Sequence, residues 1–155
     1  MPNWIKGSLK LRGRKEDIRR FFNEGVEDSE VCDKKHENSV IDKSDEEMLW
    51  FDFYNEPYIK TTRRAFIESE CAEMHEDYGV CVVDIKQAWG FDAGDSDLQK
   101  WKDIAKEYNL DIRLYGIESG MRFCQEIIIT KETFEYRETK YNDWDWDCPF
   151  PRMGG

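Results

Sequence analysis

Residues 4–12 alternate with a period of two: Ile5, Gly7, Leu9 and Leu11 fall on one face, Lys6, Ser8, Lys10 and Arg12 on the other. Successive side chains of an extended chain point to opposite sides, so this run specifies a strand with one buried face and one wet face. Such a strand commits the chain to a sheet whose apolar side must be covered by other elements. Gly13 ends the strand in this reading. Over residues 15–26 the spacing becomes helical, with Ile18, Phe21, Phe22 and Val26 sharing a side and Gly25 placed to stop the helix.

Residues 27–47 are dominated by acids, among them Asp28, Glu30, Asp33, Glu37, Asp42, Asp45, Glu46 and Glu47, and predict a long acidic loop or insertion with a short strand near Val40 and Ile41. Residues 48–54 are too aromatic for a surface helix and read as a strand. Asn55-Glu56-Pro57 turns the chain, and residues 58–63 pair back as a hairpin arm. Residues 64–77 read as a helix on the partial stripe Ala65, Phe66, Cys71, Ala72 and Met74. Residues 79–89 alternate again, Val80, Val82 and Asp84 opposite Cys81, Val83 and Ile85.

Ser96 is placed to cap a helix over 97–108, whose stripe is Leu98, Trp101, Ile104, Ala105 and Tyr108, with Asn109 as its left-handed stop. Residues 111–117 and 122–130 form a hairpin about Ser119-Gly120, and residues 134–141 add an edge strand. The expected fold is a single α+β domain over 1–155: a ferredoxin-like split βαβ with a mostly antiparallel sheet, two main helices, an added C-terminal hairpin and an acidic aromatic tail at 141–155.

Composition supports a folded chain, because 39% hydrophobic and 14% aromatic residues exceed what a disordered segment carries even at 37% charged. With 34 acids against 23 bases the formal net charge is -11, which argues against a chain that wraps a nucleic-acid backbone. The five cysteines, Cys32, Cys71, Cys81, Cys124 and Cys148, are odd in number and widely spaced, without a C-x-x-C pair. They read as free thiols in a reducing compartment. No signal-like or membrane-length apolar run appears, and a cytoplasmic location without membrane contact is expected.

Signatures of catalysis are sparse. Cys71 and His75 have the spacing of two ligands one helical turn apart, but no second pair accompanies them and His36 stands alone. A cysteine nucleophile lacks an evident base, no G-x-S-x-G elbow occurs, and acid pairs such as Asp92 with Asp95 are expected by chance in so acidic a chain. The expectation is a protein with no catalytic residues, no metal and no cofactor.

Two surfaces remain. One is basic: Lys6, Lys10, Arg12, Arg14, Lys15, Arg19 and Arg20, joined by Lys60, Arg63 and Arg64. It reads either as charge balancing nearby carboxylates or as a nucleic-acid contact, with Lys6, Lys10, Arg12, Arg14, Arg63 and Arg64 as the contacting set. The other is the tail Asp143-Trp144-Asp145-Trp146-Asp147. In extended chain it would place both indoles on one face and the carboxylates on the other. It reads either as an edge packed on the domain or as a docking element for a basic partner, helped by Asp45, Glu46 and Glu47.

Some of these residues carry a resemblance. Pro2-Asn3-Trp4, the strand ending at Gly13 and the pair Phe21-Phe22, then Ala88-Trp89 and Tyr115-Gly116-Ile117-Glu118 with Gly120 and Phe123, resemble the YubB-like ferredoxin-like family of phage and plasmid accessory proteins. The likeness covers about half the chain, through fold markers. Ile5 stands where that family often has cysteine, and the acidic segment 27–47 has no counterpart there. The resemblance implies a mobile-element accessory protein and supplies no active site. The functional expectation is a non-catalytic, anti-CRISPR-like inhibitor that occludes a basic surface on a host nucleic-acid-handling defence complex, its partner being a basic protein or nucleoprotein complex. A small nucleic-acid-binding module using the basic first strand and helix is the alternative, disfavoured by the net charge.

Overall fold

The first period-two run forms strand β1 (Trp4–Arg14), which continues directly into helix α1 (Lys15–Glu24). The computed structural model of the chain describes residues 3–28, 38–60, 64–91 and 95–155. Cys32, His36, Arg63, Asp92 and residues 29–37 of the acidic segment 27–47 lie outside the described residues. After α1 come β2 (Val26–Glu27), β3 (Val40–Asp42), β4 (Leu49–Phe53), β5 (Tyr58–Ile59), β6 (Ala65–Ile67), β7 (Cys71–Met74) and β8 (Tyr78–Ala88). Helix α2 (Asp95–Glu107), strands β9 (Asp111–Glu118), β10 (Phe123–Ile129) and β11 (Phe134–Thr139), and the one-turn helix α3 (Trp144–Asp147) complete the chain.

The strands form two sheets. One has eight strands in the order β11-β10-β9-β1-β8-β6-β5-β2, the other three in the order β3-β4-β7, and each described pairing is antiparallel. The architecture is therefore α+β on a mostly antiparallel sheet. It is larger than a four-stranded split-βαβ unit, with eleven strands among the described residues. β8 and β9, joined through α2, run parallel to each other with β1 inserted antiparallel between them.

Alternation along β1 and β8 sorts the sheet into two faces. Ile5, Leu9 and Leu11, with Cys81, Val83 and Ile85, are buried in the main core. Lys10, Arg12, Val80 and Val82 are exposed on the opposite side. On α1, Ile18, Phe21 and Phe22 are fully buried, each burial stabilising by about 1.5–3 kcal/mol. Phe22 lies 5.0 Å from the Phe51 ring and 5.3 Å from that of Phe53, while Phe21 meets Tyr108 at 5.6 Å. One helical turn of α1 thus joins the small sheet to the end of α2.

Four expectations are corrected. Gly13 does not break β1. It pairs with Gly79, and the Leu110 side chain occupies the space its own would need. Residues 64–77 form β6 and β7 instead of a helix: Ala65 and Ile67, then Ala72 and Met74, are buried at period two. Residues 58–63 do not pair back onto β4. β5 joins β2 and β6 in the large sheet, while β4 belongs to the small one. α2 begins at Asp95, so Ser96 lies within it and does not precede it. Gly25 and Asn109 behave as read: the Gly25 N–H donates to the Phe21 carbonyl at 2.7 Å, and Asn109 takes φ 55°.

The main core tolerates little extra volume where β1 meets β9. Gly7 faces Gly116, and a methyl on Gly116 would sit 2.7 Å from Ile5 and 2.8 Å from the Phe91 ring. Gly116→Ala is expected to destabilise by about 1–3 kcal/mol, read as a lower urea midpoint. Gly79→Ala, whose methyl meets only side-chain atoms of Glu76 and Met74 at 3.3 Å or more, should change stability by less than about 1 kcal/mol.

Asp42 ties α1 to β3. Burial alone would raise its pKa, but hydrogen bonds from Asn23 at 2.9 Å, Arg19 at 2.6 Å and the Ser44 N–H at 2.9 Å outweigh it and hold the pKa at about 2. A carboxylate depressed in the folded state stabilises above its unfolded pKa near 3.8 and loses that contribution as pH falls through about 2. Asp42→Asn should therefore be less stable than the parent at pH 7, with the gap in urea midpoint closing between pH 4 and 2.

Candidate docking surface

The tail after β11 folds back over the wet face of the sheet. There Ile117 and Cys124, opposite each other on β9 and β10, build a second small core with Trp144 and Cys148, flanked by Tyr115, Tyr141 and Met153. Trp144 is 4% exposed, packs on Tyr141 at 5.9 Å, and donates its indole N–H to the Pro151 carbonyl at 2.8 Å. Further on, the Ser119 hydroxyl donates to the Gly154 carbonyl at 2.7 Å and the Gly155 N–H to that of Trp4 at 2.8 Å. The tail is strapped to the end of the sheet where β1 begins and β9 ends.

Residues 143–148 do not adopt the extended form expected for them. The Asp143 carboxylate accepts from the Trp146 N–H at 3.3 Å and caps α3. Two residues on a helix are about 200° apart, so the indoles diverge. Trp144 enters the small core, whereas Trp146 is 85% exposed. Asp143, Asp145 and Asp147 are exposed beside it.

Three further exposed apolar side chains belong to segments at this end: Met121, 67% exposed, in the β9–β10 turn, Trp89 just after β8, and Phe150 in the tail. The Trp89 N–H donates to the Asn3 carbonyl at 2.8 Å. The Glu118 carboxylate, fully buried, accepts from the Gly120 and Met121 N–H groups and fixes the turn that displays Met121. Sequence reasoning missed these three. Their only signal was a large apolar residue within or beside a turn.

Asp45, Glu46 and Glu47 stand elsewhere. The Asp45 carboxylate accepts from the Met48 N–H at 2.8 Å and the Glu47 N–H at 2.9 Å, which hold its pKa below the usual carboxylate range. The Glu46 carbonyl accepts from the Lys15 ammonium at 3.1 Å, and the Lys15 N–H donates to the Asp77 carbonyl at 2.8 Å. This loop therefore sits at the far end of β1 from the tail, roughly 33 Å away at about 3.3 Å per strand residue. The acidic residues form two separate surfaces.

The basic residues come from the wet face of β1, from α1 and from the segments beside β5 and β6, and most are engaged. Lys6 pairs with Glu68 at 2.9 Å, Arg12 with Asp111 at 2.6 Å and Arg14 with Asp17 at 3.5 Å. The Arg64 guanidinium lies over the Trp4 ring at 5.6 Å. Arg19 pairs with Asp42 at 2.6 Å, Lys60 with Glu27 at 3.4 Å, and Arg20 donates to the Glu107 carbonyl at 2.7 Å. Lys10 is exposed without an ion-pair partner among the described residues.

Cys71 opens strand β7 and His75 follows it, so the pair lies along extended chain, about 13 Å apart in backbone, instead of on one helical turn. Among the described residues no three His, Cys, Asp or Glu side chains gather as metal ligands. Burial pushes the Cys81 thiol up to about 12, and burial with the neighbouring Cys148 pushes Cys124 up to about 11, so neither is a thiolate at neutral pH. A groove of about 540 Å³ between α2 and the β10–β11 turn presents Lys102, Lys106 and Lys131 around Ile129 and Phe134. Among the described residues no helix is long and apolar enough to cross a membrane.

No family model, curated protein or solved structure matches the chain.

The two tail tryptophans should separate by experiment. Trp144→Ala removes the centre of the small core and is expected to cost about 3–5 kcal/mol in tail anchoring, seen as faster amide exchange over residues 141–155. Trp146→Ala should leave that exchange and the thermal midpoint unchanged.

Proposed function

We propose that the protein is a non-catalytic binding protein that docks through its tail end onto a basic surface of another protein or nucleoprotein complex. The observation that carries this reading is the exposed Trp146, held on a capped helical turn between Asp145 and Asp147 by the buried Trp144. Exposed apolar patches mark interaction sites, and tryptophan is among the residues that dominate binding energy at interfaces. The surrounding carboxylates complement lysine and arginine, steering association and making it salt-dependent. Met121, Trp89 and Phe150 would widen the apolar contact.

The partner class that fits is a nucleic-acid-handling complex, whose grooves are built for phosphates and attract carboxylates in their place. On this reading the protein acts as an anti-CRISPR-like inhibitor of a host defence complex, consistent with the resemblance to YubB-like accessory proteins. The ferredoxin-like assignment belongs to the same reading. Its support is the β8-α2-β9 crossover with β1 between, extended at both edges.

A nucleic-acid-binding role for the wet sheet face is the second reading, favoured by Lys10 beside the exposed Val80 and Val82. The ion pairs of Lys6, Arg12 and Arg14, together with the net charge of -11, weigh against it.

Affinity capture from host lysate, with Asp143→Asn/Asp145→Asn/Asp147→Asn and Trp146→Ala as controls, tests the proposal. Each variant is expected to lose at least about tenfold in affinity, the triple variant mainly in association rate. Unchanged capture by both would remove the tail from the interface. A salt-dependent gel shift on DNA or RNA that Lys10→Glu abolishes would favour the second reading.

A further inference from the structure

The eight-stranded sheet ends in unequal edges. β2 offers two residues at one side, whereas β11 offers six at the other, and among the described residues β11 is paired only to β10. Residues 134–138 are all exposed. An open edge of this length is a template for another strand, and proteins that keep such edges single usually blunt them.

Phe134 and Tyr136, 40% and 38% exposed, share the helix-side face with Ile129 and Ile127. Glu135 and Arg137 project on the other face. Neither has an ion-pair partner among the described residues, since Glu126, opposite Arg137, is taken by Arg113 at 2.6 Å.

We propose that β11 is a homodimer seam, two copies of the chain pairing their β11 strands antiparallel about a two-fold axis through Tyr136. In that register Glu135 faces the partner's Arg137 and Arg137 faces the partner's Glu135, so both charges gain an opposite. Tyr136 faces its own copy, with Phe134 diagonal to it and opposite the partner's Glu138, and cross-strand aromatic and opposite-charge pairs are the units that stabilise a sheet.

The neighbouring registers are worse. A slide of one residue sets the helix-side face of one copy beside the wet face of the other, which no two-fold axis relates. A slide of two sets Arg137 or Glu135 against its own copy. The charges that would blunt this edge against foreign strands therefore select one self-pairing.

Net charge permits the contact. Residues 131–140 carry three cations, Lys131, Arg137 and Lys140, against Glu132, Glu135 and Glu138, so the edge is neutral on a chain of net charge -11. At physiological salt the screening length is about 8 Å, which confines repulsion between copies to charges near the seam.

Sedimentation equilibrium of the full chain at physiological salt, from about 1 to about 200 µM, reads the state directly. The parent is expected to show a concentration-dependent dimer. Glu135→Arg and Arg137→Glu, which set like charges face to face, should each raise the dimer Kd at least about tenfold, and the double exchange should restore it to within about threefold. Both sites are exposed, and unchanged circular dichroism would show that the variants fold. A parent that stays monomeric throughout would overturn the proposal and leave the edge to a strand from a different protein. A dimer that the single variants leave intact, or that the double exchange fails to restore, would equally overturn it.

Discussion

Where β1 meets β9, Gly7 faces Gly116, the Tyr115 backbone takes the space a Gly7 side chain would need and the Phe91 ring that of Gly116. That close approach lets one strand be paired on both sides, to β8 over its whole length and to β9 from Lys6 to Arg12, and the rest of the large sheet is placed relative to it. α1 leaves from its end and carries Phe21 and Phe22 across to α2 and the small sheet. The hairpin β10–β11 extends the sheet from β9, and β6, β5 and β2 extend it from β8.

The pleat of β1 and β9 divides the apolar residues between two cores of unequal size. Leu9, Ile112 and Leu114 belong to the large one under the helices, and Ile117 to the small one under the tail. Hydrogen-bonded backbone lies between them. The small core is thin, resting on Ile117, one tryptophan, two cysteines and the residues flanking them, and the hydrogen bonds at Gly154 and Gly155 add to what burial supplies. Local opening free energies follow such differences in buried contact, so the tail and the body are expected to open independently.

β1, β8, α1, α2 and the β9–β10 hairpin were legible because each has a clean period over seven or more residues, and period is the strongest local signal. The segment from Ala65 to Met74 misled because its apolar residues fit a loose helical stripe, while the two short strands there are set by non-local pairing to Lys86 and Trp50 neighbours. The partner of β5 was unreadable for the same reason: two residues carry no register of their own. In the tail, alternation of Trp and Asp suggested a strand, but the Asp143 cap on the Trp146 N–H is a helix-start signal and it prevailed. The tail aspartates and Trp146, read from the sequence as a docking element, are exposed. Trp89, Met121 and Phe150 were not singled out as surface residues, since a large apolar residue beside a turn is a weak sign of exposure.

The side chains of Asp145, Trp146, Asp147 and Phe150 take no part in either core. Substitutions at such positions usually change folding stability by no more than about 0.5 kcal/mol. On the proposed docking reading, recognition and folding fall to almost disjoint sets of residues, separated by the thickness of one sheet and one buried indole. A lineage carrying this protein could rewrite the first set, following drift in whatever it binds, without renegotiating the second.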